Sequence, residues 1–206
     1  MEKDNLLNMS VTDFIAATAS KTPTPGGGSV AGVVGALGVA LGEMALNFTR
    51  GKKKFAEHEE LYAHLGDRLE RARRMFQDLV ADDVAAYKLY QATMRQEDSP
   101  EKDQAVQLAT AAAIDVPREA TKLALAVLAD LLELSARCNP YLITDLLAAA
   151  VLAAAAAKLS DFNVRINIPQ VDDKKAAEEI RKSSADDLAK ATELLETIEQ
   201  ATKKLL

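Results

Sequence analysis

The amino-acid sequence predicts an all-α protein, built as an up-and-down bundle of long antiparallel helices. Alanine and leucine dominate the 206 residues, aromatic residues make up 4% and tryptophan is absent, a composition that suits close-packed helices better than sheets. Apolar residues recur at steps close to 3.6 along the longer segments, as on one face of a helix. The length suits one well-buried domain, so a single domain over residues 1–206 is expected.

Two helices joined by a loop rich in proline and glycine are predicted in the first quarter of the chain. Residues Ser10–Asp13 fit a capping box, so a short helix should cover about 10–18. Ser29 offers an N-cap to a second helix that runs to about Thr49. Interior glycines cost roughly 0.5–1 kcal/mol each against alanine, so another backbone should approach this helix closely. The glycines concerned fall roughly on one face and are Gly32, Gly35, Gly38 and Gly42.

The next two predicted helices are long. The second of them begins at Ser99-Pro100-Glu101, which offers an N-cap, a proline at the first helical position and an acid that faces the helix dipole. It should run towards Cys138, kink near Pro117 and end at Asn139-Pro140. The first of these two long helices covers about 55–95. It has one apolar stripe, formed by Leu61, Leu65, Leu69, Ala72, Phe76, Leu79, Val80, Tyr87 and Tyr90.

The last third of the chain predicts two more helices. An alanine-rich helix should extend from about Thr144 to beyond Leu159. The following residues, 163–168, alternate like a strand, but no other segment resembles a partner strand. Either a helix end or an extended lead is therefore expected there. A final amphipathic helix begins at Asp172 or Asp173.

Charge and cysteine content limit the classes of partner. The net charge of -6 argues against a general nucleic-acid partner, because no basic region is large enough to follow a phosphate backbone. The single cysteine, Cys138, excludes a disulfide framework and a thiolate metal cluster and favours a reduced, cytoplasmic location. The apolar runs 30–42 and 146–157 are shorter than the roughly 20 residues of a membrane span. Both runs therefore predict buried helices and no membrane partner.

The loop that ends at Ser29 is the most informative segment for function. Its prolines and glycines predict a tight backbone whose N–H groups can point at a ligand, and a helix N-terminus suits an anion or a carbonyl. We therefore predict a ligand site formed by Pro25, Gly26, Gly27, Gly28 and Ser29. Lys52 and Lys53 follow one helix length later and could neutralise the far end of an acidic ligand, or form a solvated helix junction. The loop has no Walker lysine and no βαβ context, so a nucleotide site is not expected.

Asp83 is the acidic residue that breaks the helical pattern. Counting 100° per residue, it falls on the packing face of its helix, whereas its neighbour Asp82 should be solvated. An unpaired buried charge is very costly. A structural interpretation is a salt bridge within the bundle, whereas a functional one is an acid with a raised pKa, suited to proton transfer near neutral pH. The candidate partners for a salt bridge are Arg68, Arg71 and Arg118.

Other polar residues allow two interpretations each. Asp145 lies in the first turn after a helix break, where aspartate caps a helix or acts in a site. Asn163 and Asn167, four residues apart, would share a helix face and could bind a heterocycle, or serve a turn or cap. His58 and His64 are six apart and lie on different faces, so no shared metal site is expected.

Several short motifs occur together in one order. They are Pro23-Thr24-Pro25-Gly26-Gly27-Gly28-Ser29, Asn47–Phe55, Asp83 within Asp82–Tyr87, Thr144-Asp145 and Asn163-Val164-Arg165-Ile166-Asn167. Together they resemble the cyclodeaminase/cyclohydrolase family of folate enzymes over nearly the whole chain. The proline–triglycine loop and the Asn-Val-x-Ile-Asn segment are the most specific. Where relatives usually read Gly-Asn-x-x-x-x-Ser-Asp, this chain has Cys138 and Thr144 in place of the glycine and the serine.

The resemblance implies a helical subunit that pairs into a homodimer and binds a folate beside the glycine-rich loop. The implied activity is a formiminotetrahydrofolate cyclodeaminase, which converts 5-formiminotetrahydrofolate to 5,10-methenyltetrahydrofolate and ammonia. Asp83 would transfer protons, and Asp145 would stabilise the cationic carbon or share protons with Asp83. The loop would hold the pterin or the reacting centre, and Lys52 and Lys53 the glutamate tail.

Two other functions compatible with the same residues are a methenyltetrahydrofolate cyclohydrolase, which gives 10-formyltetrahydrofolate, and a folate-binding helical protein without turnover. In each case the tetrahydrofolate derivative is the ligand, and no further cofactor and no metal are expected.

Overall fold

The computed structural model describes residues 6–205, which form helices joined by short turns. Short 3-10 helices precede α1, connect α2 to α3, flank α5 and follow α6. No strand occurs among the described residues, so the predicted all-α class is confirmed. The α-helices are α1 (Val11–Thr18), α2 (Gly27–Asn47), α3 (Glu59–Met94), α4 (Pro100–Ser135), α5 (Ile143–Asn167) and α6 (Lys174–Thr202).

Local capping signals place several helix ends where the sequence predicts them. The side-chain oxygens of Ser10, Ser99 and Asp173 accept backbone N–H hydrogen bonds at the starts of α1, α4 and α6. Each such cap is worth about 1 kcal/mol. The helix α4 continues through Pro117. Residues 163–167, which alternate like a strand in the sequence, are the last turn of α5.

The helices pack in an antiparallel arrangement around α2 and α5. The helix α2 packs against α3 and α5, and α5 also packs against α4 and α6. The N-terminal Gly27 of α2 lies near Asn163, late in α5, whereas Gly38 lies against Ala149. The two helices therefore run in opposite directions. Full burial contributes about 1.5–3 kcal/mol per large apolar side chain, and those in the core include Leu65, Leu69, Phe76, Leu128, Leu131 and Leu146.

The glycines of α2 permit close contact with two neighbouring helices. A Cβ atom at Gly32 would lie 2.6 Å from Val80 Cγ2 on α3, and one at Gly38 would lie 3.1 Å from the backbone oxygen of Ala149 on α5. Both distances are too short for a relaxed contact. The predicted close approach of another backbone is confirmed, and the neighbours belong to the same chain.

Two helical segments are longer than the apolar runs in the sequence indicate. Gly27–Asn47 has 21 residues and Pro140–Gln170 has 31, so both are long and apolar enough to cross a membrane by length and composition. The expectation that both are too short for a span is therefore wrong. The most apolar windows of these segments are 56% and 39% buried within the bundle, and core helices pass the same test. The absence of a membrane partner stays a prediction.

Candidate active site

Ser29 connects the start of α2 to α3. Gly26 is the N-cap of α2, with φ −119° and ψ −164°, so the expectation that Ser29 caps the helix is wrong. Ser29 lies instead in the first helical turn and is fully buried. Its hydroxyl donates a hydrogen bond of 2.7 Å to Oδ2 of Asp83. Because the partner lies 54 residues further along the chain, local sequence rules could not identify this bond.

Gly28 provides the space in which the Asp83 carboxylate lies. Its φ is not positive, and within residues 6–205 the positive-φ residue is Gly51. A Cβ atom at position 28 would lie 2.5 Å from Cγ of Asp83, and closer still to Oδ1. Carbon atoms in relaxed contact are about 3.5–4.0 Å apart. The glycine is therefore required for the approach of the carboxylate to the backbone, and not for an unusual backbone conformation.

The pKa of Asp83 depends mainly on its burial. Burial raises the pKa of this carboxyl above its ordinary value, and hydrogen bonds from the hydroxyl and the backbone N–H of Ser29 offset the rise only in part. Such bonds favour the ionised form, as does a position at a helix N-terminus. The predicted rise in pKa is therefore confirmed.

No cation is paired with Asp83 within the described part of the chain. Arg68 instead binds Asp130, with nitrogen–oxygen distances of 2.9 and 3.0 Å, and Arg118 binds Asp115. The interpretation of Asp83 as a salt bridge is therefore wrong. This carboxyl group has the properties of a proton-transfer group in a partly desolvated site.

A cavity of about 240 Å³ lies beside Asp83, between α3, α4 and α5. Its polar lining comes from Asp83, Tyr87, Tyr90, Asn163 and Asn167. The side-chain Nδ2 groups of both asparagines donate to backbone oxygens. Asn163 donates to the oxygen of residue 159 at 2.8 Å, and Asn167 donates to the oxygens of residues 113 and 163. These bonds fix the two amides, and their carbonyl oxygens accept no hydrogen bond from any described residue. They can therefore accept from a ligand.

The glycine-rich loop contributes unequally to this region. Gly28 borders a second, smaller cavity, which Asp83 also borders. Gly27 is exposed, and a Cβ there would lie 3.6 Å from Nδ2 of Asn163, so the start of α2 contacts the polar face of α5. Pro25 is buried and Gly26 is partly buried, and neither borders the two cavities that contain Asp83. Because Asp83 already lies at the N-terminus of α2, this end of the helix disfavours an anionic group of a ligand.

The remaining predicted site residues lie at the opposite end of the bundle. Eighteen residues separate Ser29 from the C-terminal end of α2 at Asn47, and a helix of that length spans about 27 Å. Lys52 and Lys53 follow that end, and both are exposed. Asp145 lies in the first turn of α5, also about 27 Å from Asn163 along the helix axis. The structure therefore does not bring these three residues to Asp83 within one chain.

The junction near Asp145 has its own polar contacts. Asn139 donates from Nδ2 to the backbone oxygen of Phe48 at 3.1 Å, and its backbone N–H donates to the hydroxyl of Thr49 at 3.0 Å. Burial, and to a smaller extent the charge of Asp145, raises the pKa of the Cys138 thiol. Cys138 and Asn139 thus join the end of α2 to the start of α5. Within residues 6–205, no group of three or more His, Cys, Asp or Glu side chains could hold a metal ion.

Sequence reasoning missed three residues of the Asp83 region. Tyr87 and Tyr90 continue the apolar stripe of α3, yet both line the larger cavity. Ser160 is buried on α5 and borders the smaller one. Its spacing could have revealed it, since residues at i, i+3 and i+7 share a helix face and Ser160 precedes Asn163 and Asn167 at these steps.

The fold and the site together define a class of helical proteins that place a half-buried carboxyl group, paired with no cation of the described residues, beside an open cavity. Comparisons with known proteins identify the family. Residues 10–186 match the family described as Formiminotransferase-cyclodeaminase. The chain therefore belongs to the formiminotransferase-cyclodeaminase family, which confirms the resemblance found in the sequence motifs.

Relatives of known activity include proteins of different lengths. The chain is 33% identical over 202 residues to the methenyltetrahydrofolate cyclohydrolase of Methylorubrum extorquens, covering 95% of this chain and 97% of that protein. It is 30% identical over 197 residues to the formimidoyltransferase-cyclodeaminase of Dictyostelium discoideum, covering 92% of this chain but 37% of that protein. The crystal structure of formiminotetrahydrofolate cyclodeaminase from Thermotoga maritima matches with a TM-score of 0.83 and 30% identity, over 98% of this chain and 97% of that one.

Proposed function

We propose that the protein is a folate one-carbon enzyme, a formiminotetrahydrofolate cyclodeaminase that forms 5,10-methenyltetrahydrofolate and ammonia. The observation that carries the proposal is the Asp83 carboxyl group, which is desolvated, paired with no described cation and next to a cavity of about 240 Å³. The similarity in fold to the cyclodeaminase of Thermotoga maritima supports the choice of reaction.

The proposed chemistry requires one proton to move between two nitrogens. N10 of the folate attacks the formimino carbon on N5, which gives a tetrahedral carbon bound to three nitrogens. Asp83 takes the proton from N10 and delivers it to the amino group. The carbon–nitrogen bond to that group then breaks and ammonia leaves. A positioned acid–base group of this kind typically contributes about 10²–10⁴-fold.

The charges of the site suit this reaction. The protonated formimino group and the methenyl product both carry one positive charge, so an adjacent carboxylate stabilises the reacting centre throughout. The fixed amides of Asn163 and Asn167 offer carbonyl oxygens to donors on the pterin. The first turn of α2 lies against Asn163 at Gly27 and against Asp83 at Gly28, so it would hold both groups in place beside the ligand.

The second candidate is methenyltetrahydrofolate cyclohydrolase. The relative from Methylorubrum extorquens, which matches along 97% of its length, favours it. In that reaction water adds to the methenyl carbon and Asp83 accepts a proton from it, which leaves a hydroxyl group on a tetrahedral carbon. Asp83 then delivers this proton to N5 as the bond from the carbon to N5 breaks, and the hydroxyl group loses its proton to solvent to give 10-formyltetrahydrofolate. The two reactions pass through similar tetrahedral carbons, so the same carboxyl group serves both.

Two assays on the purified protein separate these candidates. Ammonia release from 5-formiminotetrahydrofolate supports the cyclodeaminase, and loss of the methenyl absorbance band supports the cyclohydrolase. We expect Asp83→Asn to lower kcat by about 10²–10⁴-fold in the active assay. Asp82→Asn is the matched control, since Asp82 is exposed and adjacent. Folate binding without turnover, unchanged in Asp83→Asn, would indicate the non-catalytic alternative and overturn the proposal.

We also propose that the protein is a homodimer. The two central helices expose large apolar side chains: Leu37 is 55% exposed on α2, and Val151 and Phe162 are 47% and 52% exposed on α5. These side chains form the surface that we expect a second copy of the chain to cover. An antiparallel pairing of these helices would move the Asp145 end of one subunit towards the Asp83 end of the other. Lys52 would move with Asp145, because the end of α2 and the start of α5 meet at that junction.

Mixed dimers test this arrangement. Asp83→Asn and Asp145→Asn chains would each be inactive alone. A refolded equal mixture would regain about one quarter of wild-type activity, because half of the dimers are mixed and each contains one intact site. A monomer by analytical ultracentrifugation, or no recovery on mixing, would contradict the proposal. We further propose a cytoplasmic location, with the folate as substrate and no additional cofactor, metal or nucleic-acid partner.

A further inference from the structure

A second, small cavity borders Asp83 and shares Asp83, Val116 and Pro117 with the larger one. Its volume is about 10 Å³, close to the minimum that holds one water molecule. Asp83 and Ser160 supply its polar side chains. The remaining walls are glycine or apolar and come from Gly28, Gly32, Leu79, Val116, Pro117 and Ala120.

The hydroxyl group of Ser160 has an unsatisfied hydrogen bond. The residue is 1% exposed, and its Oγ has no hydrogen-bond partner among residues 6–205. Other buried helical hydroxyls bond to the carbonyl four residues earlier, as Thr121 does to Pro117 at 3.0 Å. An unpaired buried hydroxyl costs about 1–3 kcal/mol. The Ser160 hydroxyl therefore requires a partner, and the cavity that it borders has room for one.

The carboxylate of Asp83 also has free acceptor capacity. An ionised carboxylate can accept about four hydrogen bonds, and the hydroxyl and the backbone N–H of Ser29 supply the two that come from described residues. A molecule in the cavity would have the Asp83 carboxylate and the Ser160 hydroxyl as its polar neighbours. A water molecule is satisfied by two to four such partners.

We propose that Ser160 is a positioning residue, which holds one buried water molecule against the Asp83 carboxylate and thereby keeps this group against the first turn of α2. The inference deepens the proposed function, since it concerns the group assigned to proton transfer. The water donates one hydrogen bond to the carboxylate and satisfies the hydroxyl. It therefore favours the ionised form of Asp83 and partly offsets the effect of burial.

The test measures the water and the titration of Asp83 separately from turnover. A high-resolution crystal structure of the wild-type protein should show one ordered water between Ser160 Oγ and the Asp83 carboxylate. Carbon-13 NMR of the aspartate carboxyl groups should show that Ser160→Ala raises the pKa of Asp83 by about 0.4–1 pH unit, the equivalent of one net hydrogen bond. The pH dependence of kcat should shift upward by the same amount.

A matched control is Thr110→Val. Thr110 is 2% exposed and its hydroxyl also lacks a partner among the described residues, but it borders a different cavity from that of Asp83. It should leave the pKa of Asp83 unchanged. If Ser160→Ala does not fold, Ser160→Cys, whose thiol is a weaker hydrogen-bonding group and whose larger sulfur leaves less room for the water, should shift the pKa of Asp83 in the same direction.

Two results would overturn the inference. One is an unchanged Asp83 pKa in the Ser160 variants. The other is a wild-type crystal structure in which the hydroxyl bonds to the backbone oxygen of Ala156 and no water lies in the cavity. A protein that shows the water and the pKa shift but turns over no folate would contradict the proposed function and leave this inference intact.

Discussion

Two adjacent glycines at the start of α2 should respond in opposite ways to alanine. At Gly28 a Cβ atom would lie 2.5 Å from Cγ of Asp83, whereas at Gly27 it would lie 3.6 Å from the nearest side-chain atom, a normal contact. The Gly27→Ala and Gly28→Ala variants add the same methyl group to the same helical turn. The difference between them therefore isolates the contact with the carboxylate.

The structure sets the size of the expected effect. In Gly28→Ala the carboxyl carbon must retreat by about 1 Å to reach an ordinary carbon–carbon distance. A displacement of that size at a catalytic group can lower kcat by about 10²-fold. Loss of the Ser29 hydrogen bond to a charged group costs about 1.5–3 kcal/mol, and alanine recovers roughly 0.5–1 kcal/mol through its helix propensity. The net loss should be about 1–2 kcal/mol.

Gly27→Ala should instead be neutral or more stable by about 0.4–1 kcal/mol, with kcat within about twofold of wild type. The assay is urea denaturation with circular dichroism, combined with steady-state kinetics on the active folate substrate. For a chain of this length, 1 kcal/mol corresponds to a change in Tm of about 2–4 °C. If the two variants behave alike in both measurements, the carboxylate does not lie on Gly28 and the reasoning is refuted.

Three further outcomes are expected. Asp83→Asn should become more stable relative to wild type as pH rises from 3.8, the ordinary aspartate pKa, through the raised pKa of the folded state, because the folded wild-type protein must ionise a partly desolvated group. Urea titrations across pH measure this difference in stability, and a constant difference would contradict the prediction. Arg68→Met should lower the free energy of unfolding by about 1–3 kcal/mol, since Asp130 is 6% exposed and loses its partner. A change in kcat would count against a purely structural role for Arg68. Lys52→Ala should raise KM by about 2–5-fold for a substrate with a glutamate tail, and high salt should remove this increase. An equal increase in KM for a substrate without the tail would refute binding of the tail by Lys52.

The sequence predicts the helices because their signals are local. Caps at Ser10, Ser99 and Asp173 act within three residues, and apolar periodicity acts within a few turns. The structure confirms these features and the place of Asp83 on the packing face of α3. The raised pKa of Asp83 also follows from that position, since a carboxyl group on a packing face loses solvent.

The sequence alone determined the helical class, the family motifs and the residues worth considering for chemistry. Only the tertiary structure decided their partners: Ser29 donates to Asp83 instead of capping α2, Gly28 makes room for a carboxylate, and Asp145 lies at the far end of α5. The physical reason is range. A cap or a helical stripe depends on groups a few residues apart, whereas the Ser29–Asp83 bond joins α2 to α3 across 54 residues and depends on how whole helices pack.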